Sequence, residues 1–400
     1  MSNILNFQLI ERCGGLAMAK LKIMVVIGTR PEAIKMAPVI DKLQAETRFA
    51  TVLTVTAQHR ELLDQVLDLF QLEADYDLDI MSSQQSLTSL TARIVTDLRA
   101  ILEEAEPDLV VVHGDTTTTV AASLAAFYQR CQVVHVEAGL RSYDKYAPFP
   151  EEINRRLTGV VADLHFAPTA ENRSNLVQEN IVSEQIFVTG NTVIDAGLKL
   201  VEAEYQFSNF RLSELDLATG QFILVTAHRR ENLGQALEHI CQAIKELVVN
   251  NDQLLVVFPV HPNPQVQQVV YNYLEHHERI FLLEPLGYRD FINLVAESYL
   301  VLSDSGGLQE EAPAFDKPVL VLRDTTERQA GLESGRLRLV GTERARIVRE
   351  VERLLTDKQQ YQQMIAGPNP YGDGLASRRI VDYLLYYCNF SAKKPDEFSY

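Results

Sequence analysis

The chain has 400 residues, 46% hydrophobic and 23% charged, which suits roughly two or three globular domains. A formal net charge of −17 excludes a global basic footprint for nucleic acid, so an anionic ligand must be held by local cations, helix N-termini or backbone amides. No stretch approaches the ~18 apolar residues that a membrane span requires.

Residues 1–20 read as an extra leader. Glu11 and Arg12 interrupt its apolar stretch and no basic segment precedes it, which argues against a secretory signal. Met18 stands just before the first strand, and translation from Met18 is the alternative. From there, short apolar runs alternate with amphipathic segments. KIMVVIG (22–28) is a buried strand, followed by a helix in which Pro38 predicts a kink or a short first segment. TVLTVTA (51–57), DLVVVHGD (108–115), QVVHVEA (132–138), DLHFAP (163–168) and IFVTG (186–190) follow as strands, with helices over 61–70 and 116–127. The pattern breaks over 199–219 and restarts with strands at 222–228, 254–260, 280–285, 299–304 and 318–324, with a helix over 235–247. Strand–helix alternation of this kind predicts parallel sheets covered on both faces. We place an N-terminal Rossmann-like domain at 21–195 and a second α/β domain at 196–375, with a last helix over 376–390 that packs back on the first. The tail from Ser391 reads as polar and frayed. Cys13, Cys131, Cys241 and Cys388 form no CxxC or zinc-spaced cluster, so we read reduced thiols in a cytoplasmic protein.

Ligands of doubly wound domains gather at the C-terminal ends of the strands. The first strand ends in Gly28-Thr29-Arg30-Pro31-Glu32, with Lys35 one turn on. This is not GxGxxG, so a dinucleotide site is disfavoured. A glycine turn, a helix start and a guanidinium suit a phosphate, and an ordinary βα turn with a surface arginine suits the same residues. Asp115 and Glu137 end neighbouring strands, and Glu151 and Glu152 lie before Arg155 and Arg156. Convergent carboxylates can hold different protonation states, as proton removal and delivery at carbon require. Glu152, Arg156, Asp144 and Lys145 fit caps and ion pairs better. His113 and His135 sit inside strands and read as structural.

In the second half a strand runs into His228-Arg229-Arg230, which suits a phosphate contact or an acid. His261 lies in a proline-rich loop, and His276-His277 read as a solvated helix face. Ser305-Gly306-Gly307 opens a helix carrying Glu311. Close backbone approach and free amides there suit a diphosphate, with Glu311 placed for ribose hydroxyls. Arg323 and Arg328 add cations, and with no Trp in the chain Phe291 is a stacking candidate.

GTRPEAIKMAP (28–38), TAQHRELLDQVL (56–67), VHGDTTTT (112–119), HVEAGLR (135–141), PFPEEINR (148–155), GNTVIDA (190–196), TAHRREN (226–232), PVHPNP (259–264), DSGGLQEEAP (304–313), RDTTER (323–328) and NPYGDG (369–374), taken together, resemble the bacterial non-hydrolysing UDP-N-acetylglucosamine 2-epimerases. The resemblance runs from about Lys22 to about Tyr387 and leaves the leader without a counterpart. It implies two Rossmann-like domains of the glycosyltransferase-B type with the active site in the interdomain cleft. It implies interconversion of UDP-GlcNAc and UDP-ManNAc by anti elimination of UDP to a 2-acetamidoglucal and re-addition, with no nicotinamide or other cofactor.

Position by position, Asp115, Glu137 and Glu151 match the family's catalytic carboxylates, and Arg30, Lys35 and His228 match diphosphate or leaving-group contacts. Arg155 matches an arginine tied to the acidic cluster. Ser305, Gly306, Gly307 and Glu311 match the UDP-binding turn, with Arg328 and Phe291 as further nucleotide contacts. Gln58 and His261 match a second UDP-GlcNAc site used by an activator, where Glu61 replaces the glutamine of some relatives. Gln329-Ala330 departs from the common Pro-Glu. The resemblance also implies a homodimer and a product destined for cell-surface polysaccharide. The competing expectations are a hydrolysing 2-epimerase, a glycosyltransferase of the same fold, and a nucleotide-sugar sensor without turnover.

Overall fold

A computed structural model of the chain describes residues 20–56, 60–80, 85–213, 215 and 221–400, without the side chains of residues 60–62. The described residues divide into two compact units. The first runs to Ala196 and takes up Gly374–Ser399; the second is Gly197–Asp373.

In the first unit β1 (Leu21–Ile27), β2 (Phe49–Val55), β3 (Tyr76–Asp77), β4 (Leu109–His113), β5 (Gln132–Val136), β6 (Leu164–Ala167) and β7 (Ile186–Val188) form a parallel sheet in the order β3-β2-β1-β4-β5-β6-β7. The strands are apolar at successive positions because helices cover both faces. Met24, Val26, Val110 and Val112 pack with Leu98 and Leu102 of the helix Leu87–Ala105 and with Ala122 and Ala125 of the helix Thr117–Tyr128. Burying each such Val or Leu contributes about 1.5–3 kcal/mol.

The helix Arg30–Ala45 runs unbroken through Pro38, so no short first segment forms. Pro38 is buried with its neighbours Ile34, Ala37 and Val39, and this packing offsets the helical hydrogen bond that proline cannot make. The helix Ala376–Tyr387 packs on Arg30–Ala45. Asp195 fixes its start by accepting from Ala376 N (3.2 Å), Ser377 N (2.7 Å) and Ser377 Oγ (2.5 Å).

The tail is not frayed. Phe398 is buried and its N–H donates to Val188 O on the edge strand β7 at 2.9 Å; Glu397 pairs with Arg173 at 2.7 Å. One aromatic side chain and one ion pair anchor a segment whose average polarity suggested solvent.

The second unit repeats the plan with β8 (Phe222–Thr226), β9 (Leu255–Pro259), β10 (Ile280–Leu283), β11 (Leu300–Ser303), β12 (Val319–Val321) and β13 (Leu337–Leu339), in the order β10-β9-β8-β11-β12-β13. Along β8, Ile223 and Val225 face the helices Gln235–Asn250 and Arg344–Thr356, while Phe222 and Leu224 face the helix Tyr288–Glu297. That alternation is the period of two that a strand imposes. His276 and His277 lie in the turn after the helix Pro264–Leu274 rather than on its face. In both sheets the strand order reverses beside the first strand, between β1 and β4 and between β8 and β11. Such switch points are where doubly wound sheets open for ligands.

Candidate active site

At the first switch point, β1 turns into its helix through Gly28. A Cβ at Gly28 would sit 2.1 Å from Thr118 Oγ1 and 2.4 Å from Thr56 Oγ1, so only glycine fits. Thr29 caps the helix, and Glu32 is buried beneath the turn. Its Oε2 accepts from Gly28 N (3.0 Å) and Thr29 N (2.7 Å), and its Oε1 from Thr116 Oγ1 (2.7 Å) and Thr119 Oγ1 (3.1 Å). One carboxylate thereby ties the β1 turn to the β4 turn. Arg30 opens the helix, half-buried, and Lys35 follows one turn on.

Lys35 forms an ion pair with Glu137, just past the end of β5. Asn191 Nδ2 donates to the same Oε2 at 3.0 Å, and His113 Nε2 lies 3.6 Å from it. Burial by itself would raise the Glu137 carboxyl, but the Lys35 ammonium and then His113 outweigh it and hold the group well below the usual carboxylate range. The Glu137 backbone is left-handed, φ 60°, a conformation that costs a non-glycine residue energy and concentrates at functional sites. Gly139 two residues on, at φ 90°, leaves no room for a Cβ, which would fall 2.2 Å from Asn172 O.

Asp115 lies beyond β4. Arg155 donates to its Oδ2 through Nη2 and through Nε (3.1 Å), and reaches Glu152 with Nη1 at 3.2 Å. Glu152 also accepts from Ser142 N (2.9 Å), so it is a buried structural acid. Glu151 sits half-buried at the start of the helix Glu151–Val161. Behind this cluster, His135 Nε2 lies 2.7 Å from Gly114 O. Burial drives His135 down to about 3 and His165 to about 4, so both rings are neutral and structural.

In the second unit the β8 turn carries His228. Its ring stacks on His261, with centroids 5.1 Å apart and planes 6° apart. Burial pulls His228 below its ordinary pKa; Asp304 opposes that, while His261 and Arg229 reinforce it. Asp304, at the end of β11, is fully buried, and its Oδ2 accepts from His228 N, Arg229 N and Asn232 Nδ2, each at 2.9 Å.

Ser305-Gly306-Gly307 follows. A Cβ at Gly306 would meet the Arg328 guanidinium at 3.0–3.2 Å, so that cation lies flat against the turn. Arg328 Nε donates to Glu310 at 3.0 Å and its Nη1 pairs with Glu327. Glu311 is buried, with Oε1 accepting from Tyr288 Oη at 2.7 Å. Phe291 is half-buried against the core that includes Leu283, Leu294 and Leu308. Gln58 and the Glu61 side chain lie outside the described residues.

Residues 41–385 match the family model described as UDP-N-acetylglucosamine 2-epimerase. The chain belongs to this family. A UDP-N-acetylglucosamine 2-epimerase of Salmonella typhimurium is 52% identical over 373 residues, 92% of this chain and 99% of the relative. A crystal structure of the Neisseria meningitidis UDP-GlcNAc 2-epimerase bound to UDP-GlcNAc is 47% identical with a TM-score of 0.82, covering 91% of this chain and 100% of that one. A UDP co-structure from S. aureus is 48% identical with a TM-score of 0.85, covering 95% and 100%. The fold is accordingly the glycosyltransferase-B type, two Rossmann-like domains in one chain.

Two of the family-matched residues, Glu137 and His228, have partners outside the family-matched set. Asn191 and His113 hold Glu137, and Asp304 holds the His228 turn. All three partners lie inside the family-like blocks: His113 reads as structural and Asp304 as the end of a strand, and Asn191 carries no signal of its own. Arg30 and Glu151 open helices, Arg155 lies one turn into the second of these, Asp115 lies between β4 and the helix after it, and Arg328 immediately precedes the helix Gln329–Glu333.

Proposed function

We propose that the protein interconverts UDP-N-acetylglucosamine and UDP-N-acetylmannosamine without net hydrolysis. In this reading the C1–O bond to UDP and the C2–H bond break in an anti elimination. The proton goes to an enzyme carboxylate, the bonding pair of C2–H becomes the C1=C2 double bond, and the C1–O pair leaves with UDP. Re-addition of UDP at C1, with a proton delivered to the opposite face of C2, gives the epimer. Two faces need two proton-handling groups, which is the work we assign to Asp115, Glu137 and Glu151.

The observation that carries this assignment is Glu137, a carboxylate held ionised in a left-handed backbone by a cation that can be drawn away. Lys35, Arg30 and His228 take the diphosphate. A phosphate oxygen that competes for Lys35 weakens its pairing with Glu137 and raises the carboxylate's affinity for a proton as substrate binds. Arg155 keeps Asp115 oriented. Ser305, Gly306 and Gly307 offer backbone amides to the phosphates, Glu311 meets the ribose, and Arg328 and Phe291 complete the nucleotide contacts. Removing one such charge-stabilising group commonly costs ~10²–10³ in rate.

A second UDP-GlcNAc near Gln58, Glu61 and His261 would act as activator. Full turnover from UDP-ManNAc alone would remove that part of the proposal. A homodimer, a cytoplasmic setting and a role in supplying ManNAc units for surface polysaccharide complete it. The test is phosphorus NMR of UDP-GlcNAc with the purified protein. Signal that stays in UDP-sugar while UDP-ManNAc appears supports the proposal; stoichiometric free UDP with ManNAc assigns the hydrolysing reaction instead.

A further inference from the structure

Asp304 is satisfied on one oxygen only. Its Oδ2 accepts three N–H groups at 2.9 Å, whereas the buried Oδ1 makes no hydrogen bond and lies 3.5 Å from His228 Nδ1. A buried carboxylate oxygen left without a donor is costly, and His228 Nδ1 is the ring nitrogen that faces it. The imidazole is confined on one face by His261, whose own Nδ1 accepts from Asn263 N at 3.1 Å. The His228 side chain is 37% exposed, so the nitrogen opposite Asp304 remains open to a ligand. The charged and titratable groups facing the ring are Asp304 from the end of β11, His261 from the β9 loop, and Arg229 and Glu231 from its own loop.

We propose that Asp304 is a positioning residue for His228: it holds the imidazole as the Nδ1–H tautomer and reserves Nε2 for the diphosphate of the nucleotide. The role rests on the assignment of His228 to the leaving UDP. The short gap closes when a phosphate oxygen reaches Nε2, because active-site hydrogen bonds tighten in the complex. The ring then lies between the Asp304 side chain and the phosphate, takes up a proton from solvent and donates from both nitrogens. Asp304 also begins the segment Asp304-Ser305-Gly306-Gly307, so one residue couples the nucleotide turn to the group that meets the leaving oxygen.

Asp304→Asn separates positioning from folding. Three donors converge on the Oδ2 position, so the amide oxygen must lie there and the amide NH₂ must face His228 Nδ1. That donor forces the ring into the Nε2–H tautomer while every backbone N–H keeps an acceptor. The experiment is long-range ¹H–¹⁵N NMR of the ¹⁵N-histidine-labelled full chain without ligand, with the His228 signals assigned by their loss in His228→Asn. The expected result is Nδ1–H in the wild type and Nε2–H in Asp304→Asn. A neutral Nε2–H ring in the wild type, or the same tautomer in both proteins, overturns the proposal; the wild-type spectrum alone suffices if the variant does not fold.

Kinetics give a second readout. Asp304→Asn should lose ~10–100-fold in kcat with KM changed by less than about threefold, because a neutral Nε2–H still donates to phosphate but is a poor acid. An equal loss in both parameters would contradict tautomer control. Absence of epimerisation in a wild type that shows the expected tautomers would refute the proposed function and leave the Asp304–His228 relation standing.

Discussion

The two switch points use a buried carboxylate for the same task and differ in how fully it is used. Glu32 reaches from the helix after β1 and spends both oxygens on four donors from the β1 and β4 turns. Asp304 reaches from the end of β11 back to the β8 turn, with one oxygen occupied and the other facing an imidazole. A saturated carboxylate is a fastener, and a half-saturated one still has an interaction to make. Glu137 stands at a third point on this scale, since its charge is balanced mainly by a side-chain cation that a phosphate can attract.

If that ranking holds, the largest effect on turnover belongs to Glu137. Glu137→Gln should lower kcat by ~10²–10³ or more while UDP affinity stays within a few-fold, read by steady-state kinetics and calorimetry. Near wild-type turnover would remove Glu137 from the chemistry. The largest effect on stability belongs to Glu32. Glu32→Ala strands buried donors and should cost about 2–4 kcal/mol in denaturant unfolding, whereas Asp304→Asn should cost about 1 kcal/mol or less. Equal losses would erase the distinction between fastener and positioning group.

Acid should separate the two units. His135 and His165 titrate at about 3 and about 4 in the folded chain and near 6.5 when unfolded. Between those values the unfolded state binds more protons, so stability falls as pH falls below ~6.5, by up to about 1.4 kcal/mol per pH unit for each ring. Glu137 works in a lower range: its folded pKa is depressed, so its contribution is fully present above the usual carboxylate pKa and is lost progressively as pH falls from there through the depressed value. The first unit should therefore unfold ahead of the second on acidification to pH 5, and His165→Phe should flatten that slope. Hydrogen exchange as a function of pH checks it, and simultaneous unfolding of both units would count against it. The smallest effect is expected at Gly306. Gly306→Ala pushes on the Arg328 guanidinium, the movable end of a side chain, and should weaken UDP binding by roughly three- to tenfold without unfolding the turn. Unchanged affinity would take Arg328 out of the nucleotide contacts.

The long apolar strands were legible because burial on both faces leaves no polar alternation to obscure them. β3 and β13, with two and three residues, carry too little pattern to stand out from a loop. The helix Leu87–Ala105 does not stand out in the sequence although Leu90, Ile94, Leu98 and Leu102 recur every four residues. Its Ser- and Thr-rich first turns hid that spacing. Motif residues at strand ends were readable because their chemistry is local to a turn. What holds them was not: Asn191 reaches Glu137 across 54 positions and Asp304 reaches His228 across 76, and neither distance leaves a trace in spacing. The docked tail was missed for the same reason, since Phe398 meets Val188 only in the folded sheet.

The most direct test of the central claim is proton NMR of UDP-GlcNAc incubated with the protein in D₂O, with neither NAD nor metal added. Reversible elimination predicts UDP-ManNAc carrying deuterium at C2, and exchange into the remaining UDP-GlcNAc at the same carbon. UDP-ManNAc that keeps protium at C2, or a substrate left unchanged, would contradict it.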